Sequence, residues 1–216
     1  MDIGTLKKLR AVVPGTLLIA GLIPLYTFWT GKPISSIQGA DLVSAGVAGI
    51  AAYAIGAIYS SFCWRAIFNG RSHARIGANI KHRLLAIGRT QPLADARREE
   101  LLSGKELMDV FYALVDSNET LKVRAKMVYE NGLYWSSVPD CVVLGTMFAA
   151  LYFPLWLMSD YRPFLDWAVV ASAVALLAGF VLHPRAEKKH IHLSNDQLDF
   201  IEGQMKPQAE PKINAL

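Results

Sequence analysis

The chain is poor in charge and in cysteine, and these shortages exclude whole classes of protein. Of its 216 residues, 19% are charged and 53% are hydrophobic, whereas a soluble domain averages about 25% charged residues. This apolar excess excludes a disordered chain. There are only two cysteines, Cys63 and Cys141, which is too few for a disulfide scaffold, and we expect both to be free thiols.

Four long stretches contain no Asp, Glu, Lys or Arg. They are Ala11–Gly31, Leu42–Trp64, Cys141–Ser159 and Trp167–Pro184. A helix that crosses the hydrocarbon core of a bilayer needs about 20 predominantly apolar residues. The sequence therefore predicts an all-α membrane protein with four transmembrane helices, arranged as two hairpins. The predicted segments are 11–31, 42–64, 138–159 and 166–184, with a cytoplasmic helical module at 65–134 and a cytoplasmic tail at 185–216 that contains a short amphipathic helix.

The distribution of basic residues predicts the orientation of these helices. Of 22 Lys and Arg residues, 20 lie in the N-terminal segment, in residues 65–130 or in the C-terminal tail. Cytoplasmic segments of membrane proteins are enriched in Lys and Arg. We therefore expect a multi-pass protein of a bacterial-type inner (plasma) membrane, with both termini in the cytoplasm.

The two hairpins resemble each other in sequence. When the chain is shifted by 130 residues, segment 12–52 matches segment 142–182 at 11 of 41 positions. The alignment pairs Pro24 with Pro154, each in the first helix of its hairpin. A proline inside a helix removes one backbone donor and favours a kink. A duplicated hairpin with two kinked helices is one interpretation; chance similarity of apolar segments is the other.

The second apolar run carries small residues on one face. Ala48, Ala52, Gly56 and Ser60 recur at four-residue spacing, and Ala45 and Gly49 widen the face. Helices in a bilayer associate by close packing of such faces. This pattern predicts a helix-packing seam, either within one chain or between copies in a homo-oligomer.

Residues 65–89 predict a basic amphipathic helix. Its apolar stripe is Ile76, Ile80, Leu84 and Ile87, and its basic residues include Arg71, Arg75, Lys81, Arg83 and Arg89, with no acidic residue. Such a helix favours the anionic inner leaflet or an acidic soluble partner, and a nucleic acid is not expected. Further helices are predicted to begin at capping boxes at Ser103 and Ser194 and near Glu119. Pro207 is expected to end the last helix, ahead of a disordered terminus.

Motifs of known catalytic chemistry are missing from the sequence. It contains no phosphate-binding glycine loop, no nucleophile elbow and no zinc-protease motif. His183, His190 and His192 cluster beside two lysines without a further ligand, so we expect no metal, no cofactor and no enzymatic activity. The spacing of Arg75 with His82, and of Arg185 with His190, resembles the Arg-x(4–6)-His spacing of HEPN ribonucleases. That resemblance implies a membrane-anchored ribonuclease.

Three functional hypotheses follow from these features. The first is a homo-oligomeric membrane effector or pore controlled through its cytoplasmic helices, by analogy with bacterial stress and phage-defence effectors. The second is a non-catalytic scaffold or accessory subunit that recruits a soluble protein to the membrane. The third is the HEPN-like ribonuclease.

Overall fold

The computed structural model describes residues 3–32, 42–62, 64–88 and 94–216, and the regular structure in these ranges is entirely helical. The α-helices in these ranges are α1 (Ile3–Gly21), α2 (Ile23–Thr30), α3 (Leu42–Ser61), α4 (Trp64–Gly88), α5 (Asp95–Ser103), α6 (Glu106–Asp116), α7 (Glu119–Ser159), α8 (Arg162–Leu177), α9 (His183–Phe200) and α10 (Lys206–Asn214). Two π-helical turns, Ala178–Leu182 and Ile201–Met205, precede α9 and α10. The predicted all-α class is confirmed for the described residues. Cys63, Arg89 and the side chain of Ala45 lie outside them.

The chain divides into two compact units. The first, here called the apolar unit, comprises Met1–Asn69 and Leu133–Arg185. The second, here called the polar unit, comprises Gly70–Gly132 and Ala186–Leu216. The C-terminal tail therefore belongs to the same compact unit as most of the middle segment.

Several helices are long and apolar enough to cross a membrane. Lys8–Thr30, Glu119–Ser159 and Arg162–Asn214 meet this description individually, and Val47–Ser61 meets it only together with Trp64–Gly88, as a bent pair. The described residues thus contain three candidate spans, or four if the bent pair counts as one. The prediction of several apolar helices is confirmed at this level.

The apolar unit is built around two clusters of buried side chains. In the first, Tyr59 of α3 packs with Val143 and Leu144 of α7. In the second, Tyr152 of α7 packs with Phe164 of α8. The ring of Phe28 lies 5.1 Å from that of Phe164, so the ends of α2 and α7 and the start of α8 meet at one end of this unit.

The two prolines predicted to kink helices have different surroundings. Pro24 lies in the first turn of α2, just beyond the end of α1 at Gly21. At this break the buried Tyr152 hydroxyl donates a hydrogen bond to the Gly21 carbonyl. Pro154 lies inside α7, which continues through it. A helix is therefore interrupted near Pro24 but not at Pro154.

The contacts within the two predicted hairpins do not follow the 130-residue offset. Gly15 of α1 packs directly on Ala52 and Gly56 of α3. A repeat without gaps would place Gly145 opposite Leu182 and Ala186, but Gly145 faces Ala171 and Ala175, about three helical turns away. The connections explain the difference, because eleven residues separate α2 from α3 and only two separate α7 from α8. The similarity of the hairpins in sequence is not reproduced in their packing register.

The polar unit is organised by α4, α9 and the first part of α7. Side chains of α4 pair in parallel order with those of α9: Arg75 with Glu187, Asn79 with Asn195, and Arg83 with Asp199. The first part of α7 runs antiparallel to α9, because Asn131 bonds to Ala186 and Arg124 to Asp196. The predicted apolar stripe of α4 is buried at all four positions, Ile76, Ile80, Leu84 and Ile87.

Several predicted helix ends are wrong. Ser103 is the last residue of α5 and bonds back to the Glu100 carbonyl, so it does not cap α6. Ser194 is buried inside α9 and bonds to the His190 carbonyl. Pro207 lies in the first turn of α10, where its missing N–H costs nothing. The cap near Glu119 is confirmed, since Asn118 Oδ1 accepts from the amides of Thr120 and Leu121.

The C-terminal residues form a packed helix, α10, so the predicted disordered terminus is wrong. Ala209 and Ile213 are completely buried, and Ile213 packs against Gly88 at the end of α4. We expect Ile213→Ala to destabilise the protein by about 2–4 kcal/mol, because it leaves a cavity in the core. Thermal unfolding of the full chain measures this effect. The control is Lys212→Ala, an exposed neighbour that should change stability by less than about 0.5 kcal/mol; equal effects of the two variants would contradict the packing.

Candidate functional site

A buried ion pair joins α4 to α7 inside the apolar unit. Arg65 Nε lies 3.1 Å from Asp140 Oδ1, and Arg65 Nη2 lies 2.6 Å from Oδ2. This is the two-pronged geometry in which a guanidinium binds a carboxylate most strongly. Asp140 is fully buried, and in the described part of the chain it is the one charged residue that is. A buried carboxylate is tolerated only when it is paired and hydrogen-bonded.

The pair also reaches α1 and α3. Arg65 Nη2 donates to the carbonyl of Arg10, 3.2 Å away. The hydroxyl of Tyr59 is buried and faces the Asp140 carboxylate. The cluster of Arg10, Tyr59, Arg65 and Asp140 thus brings together four helices of the apolar unit.

A second polar contact lies at the ends of α4 and α9. His183 Nε2 is 2.9 Å from Asn69 Oδ1, and Asn69 is buried. His183 directly follows the π-helical turn Ala178–Leu182, and such turns are frequent at functional positions. Each of the four apolar runs therefore has one end in these contacts. Arg10 precedes the first run, Arg65 follows the second, Asp140 precedes the third, and His183 lies at the end of the fourth.

Sequence reasoning did not find this cluster. In the sequence, Arg65 directly follows the second apolar run and Asp140 directly precedes the third. The two are 75 positions apart, so no local pattern indicates the pairing. The available signal is opposite charge at two ends that face the same predicted side of the membrane, namely an arginine after the second run and an aspartate before the third.

The small-residue face of α3 is divided by α1. Ala52 and Gly56 are buried, and a Cβ atom on Gly56 would overlap the carbonyl oxygen of Ala11. Ala48, Gly49 and Ser60 are exposed, and among the described residues no atom outside the neighbouring backbone of α3 lies within 4 Å of the position that a Cβ on Gly49 would take. The middle of the face therefore packs within one chain, and its two ends are left open.

Three of the predicted lipid-facing or partner-facing basic residues are engaged inside the polar unit. Arg75 pairs with Glu187 at 3.1 Å, and Arg83 pairs with Asp199 at 2.7 Å. Lys81 Nζ donates to the carbonyls of Leu102 and Gly104, at 2.8 and 2.7 Å. Arg71 is exposed. Lys81 and Arg83 are thus partly held within the polar unit, whereas the Arg75 side chain remains mostly exposed in its pair.

The residues of the ribonuclease-like spacing have different surroundings in the described part of the chain. Arg75 of the ribonuclease-like spacing pairs with Glu187, and His82 is exposed. His190 Nδ1 lies 3.4 Å from Asn131 Nδ2. Among the described residues, no group of three His, Cys, Asp or Glu side chains could hold a metal ion.

Comparison with known proteins gave no match: no family model, no curated protein and no solved structure is significantly similar to this chain.

Proposed function

We propose that this chain is a four-span membrane protein that works as a homo-oligomeric effector controlled through its cytoplasmic polar unit. The observation that carries the proposal is the distribution of exposed apolar side chains. Of the 30 large hydrophobic residues exposed in the described chain, 26 belong to the apolar unit. An exposed apolar surface of this extent marks contact with a membrane or another protein.

The contacts within each unit support four antiparallel crossings. In the apolar unit, Arg10, Arg65, Asp140 and His183 mark the same boundary of the four apolar runs. In the polar unit, α4 and α9 run parallel and the start of α7 runs against them. This is the arrangement of a chain that leaves the membrane after its second and fourth spans and returns before its third.

A conducting path, on this proposal, lies between copies of the chain. The interior of the apolar unit is filled by large side chains such as Tyr152, Phe164 and Leu144. A cavity of about 100 Å³ between α1, α7 and α8 is lined by apolar side chains and Cys141, which offers ions no polar ligand. The open ends of the small-residue face on α3 are where a second copy would pack closely.

A scaffold role is the second candidate, and a surface of the polar unit favours it. The exposed large hydrophobics of this unit, within the described residues, are Tyr112, Val123, Met127 and Tyr129. All four lie on α6 and the first part of α7. Exposed aromatic and methionine side chains are enriched where proteins bind partners, so a soluble cytoplasmic protein would dock here.

The topology predicts the outcome of reporter fusions. Fusions at Ser36 and Tyr161 should report an outside location, and a fusion at Asp95 should report a cytoplasmic one, because 20 of the 22 basic residues lie on that side. Paired reporters that are active on opposite sides of the membrane make the measurement. An outside signal at Asp95, or a chain that stays soluble after cell lysis, would contradict the four-span proposal.

The oligomer should depend on the open end of the α3 face. Ala48→Ile and Gly49→Ile enlarge exposed positions, so we expect a smaller species by light scattering in detergent, with unchanged thermal stability. Val47→Leu, at an exposed neighbouring position, is the control and should leave the oligomer intact.

Conductance of the reconstituted wild-type oligomer separates the effector from the scaffold. A bilayer that stays sealed, together with specific capture of a soluble protein through the exposed side chains of Tyr112, Val123, Met127 and Tyr129, would favour the scaffold.

A further inference from the structure

The cavity of about 100 Å³ between α1, α7 and α8 has no role in a conducting path, because its walls offer ions no polar ligand. Four small residues leave this space open, namely Ala20 and Gly21 of α1, Gly145 of α7 and Ala171 of α8. The larger side chains around it are Leu17, Leu144, Phe148, Trp167, Val170 and Val174. All of these residues belong to the apolar unit.

The three helices cannot close the cavity by moving together. A Cβ atom on Gly145 would lie 2.7 Å from the carbonyl oxygen of Ala171, so the backbones of α7 and α8 already approach closely. A Cβ atom on Gly21 would overlap the ring of Phe148, so α1 and α7 are in similarly close contact. The Phe148 ring is held in turn by Tyr152, on which it stacks with ring centroids 5.9 Å apart. The space is therefore built into the packing of this unit.

Water is a poor occupant of this cavity. A buried water needs several polar partners, whereas the side chains of the lining are apolar apart from the thiol of Cys141. The carbonyl of Gly21 already accepts a hydrogen bond from the Tyr152 hydroxyl. Apolar cavities of about 150 Å³ stay dry and bind benzene or xenon. The cavity is therefore suited to a small apolar molecule.

The opening of the cavity lies on the apolar surface of α8. Val170 and Val174 both line the cavity, and they are 54% and 39% exposed. A molecule dissolved in the hydrocarbon core of a bilayer can enter at this point without crossing polar surface. Inside, Phe148 and Trp167 present aromatic rings, which make favourable offset or edge-to-face contacts with another ring. The volume and the walls together fit one six-membered aromatic ring.

We propose that this cavity is a binding site for a small, membrane-soluble aromatic molecule of about the size of benzene. The inference goes beyond the proposed function and uses the proposed membrane location only as the route of entry. A bound ring fills space between three helices and contacts all of them. Because a ligand that binds only the folded chain stabilises it by mass action, occupancy should strengthen the packing of α1 against α7 and α8.

Alanine methyl groups provide a direct measure of occupancy. The full-length chain is labelled with carbon-13 at its alanine methyl groups, placed in nanodiscs of dioleoyl phosphatidylcholine and titrated with benzene. Ala20 and Ala171 line the cavity, so the ring current of a bound benzene should shift both methyl resonances until the site is saturated. Ala150 is exposed elsewhere on α7, and its resonance should change only in proportion to the benzene dissolved in the bilayer.

Two variants fill the cavity from different sides. Ala20→Leu enlarges a side chain of α1, and Val174→Phe adds a ring from an exposed position of α8, which disturbs the core less. Each should reduce the saturable shift at Ala171 at least tenfold. Ala150→Leu makes the same exchange at an exposed position and should leave that shift within twofold of the wild type. Benzene should also raise the thermal midpoint of the wild type, and it should not raise that of the filled variants.

A larger hydrocarbon separates binding from general effects on the bilayer. Triisopropylbenzene dissolves in the same membrane but is too large for the cavity, so it should give no saturable shift. The proposal is overturned if benzene shifts Ala20 and Ala171 only in proportion to its concentration, if a folded filled variant keeps the saturable shift, or if both hydrocarbons saturate alike. The reporter fusions are independent, because a chain that is inserted but shows no saturable shift refutes only this site, and a soluble chain refutes the proposed function.

Discussion

Asp140→Asn is expected to lower the free energy of unfolding by about 3 kcal/mol, because it leaves the largely buried Arg65 guanidinium without its counterion. For a chain of this length the thermal midpoint should fall by roughly 6–12 °C. Thermal unfolding of the full-length protein in detergent, followed by tryptophan fluorescence, measures the change. The amide can still accept one hydrogen bond, so the loss of charge is the main difference.

An exposed ion pair in the same unit provides the control. Arg162 and Asp166 lie 3.1 Å apart at the start of α8 and are both exposed. Pairs of this kind contribute about 0–1 kcal/mol, so Asp166→Asn should barely change the free energy of unfolding. If Asp140→Asn were as mild as Asp166→Asn, the buried pair would not hold α4 to α7.

A double variant separates the contribution of the ion pair to stability from any role it has in activity. Replacing a buried pair by apolar residues of similar size is often neutral or stabilising, so Arg65→Met with Asp140→Leu should recover most of the lost stability. If the pair also aligns the membrane helices for function, this double variant should fold and remain inactive in the conductance assay. Full activity in a stable double variant would limit the pair to a structural role.

The features that sequence predicts well are local and periodic. The buried stripe of α4 follows from apolar residues at helical spacing, and all four of its predicted positions are buried. Residue Asn118 caps α7 as expected for a side chain that accepts from the second and third amides of a helix. Lack of charge over about 20 residues is likewise a local signal, and it identified the apolar helices.

The features that sequence missed depend on tertiary packing. The motif at Ser194 fits a helix start, but burial of Ser194 and Gln197 inside the polar unit keeps α9 continuous. The C-terminal residues look polar and proline-rich, yet Ala209 and Ile213 fill a space beside Gly88. The Arg65–Asp140 pair links distant positions that only the packing of α3, α4 and α7 brings together.

The seam between α1 and α3 is expected to tolerate no side chain at Gly56. A Cβ atom there would overlap the Ala11 carbonyl oxygen, and one at Gly15 would overlap the Ala52 carbonyl. Both clashes involve backbone, which cannot rotate away as a side chain can. Gly56→Ala should therefore force the two helices apart and destabilise the protein by about 3 kcal/mol, the upper end of ordinary overpacking.

Gly49→Ala is the matched control on the same helix. In the described part of the chain, no atom beyond the adjacent α3 backbone lies within 4 Å of its added methyl group. Alanine favours a helix over glycine by about 0.5–1 kcal/mol, so this variant should be unchanged or slightly more stable. The two variants add the same group to α3 seven residues apart, and thermal unfolding in detergent compares them directly. Light scattering separates the two positions further. Gly56→Ala should lower the thermal stability of the chain, whereas Gly49→Ile should reduce the size of the oligomer without changing that stability. Equal stability of Gly56→Ala and Gly49→Ala would mean that α1 and α3 do not pack through this glycine.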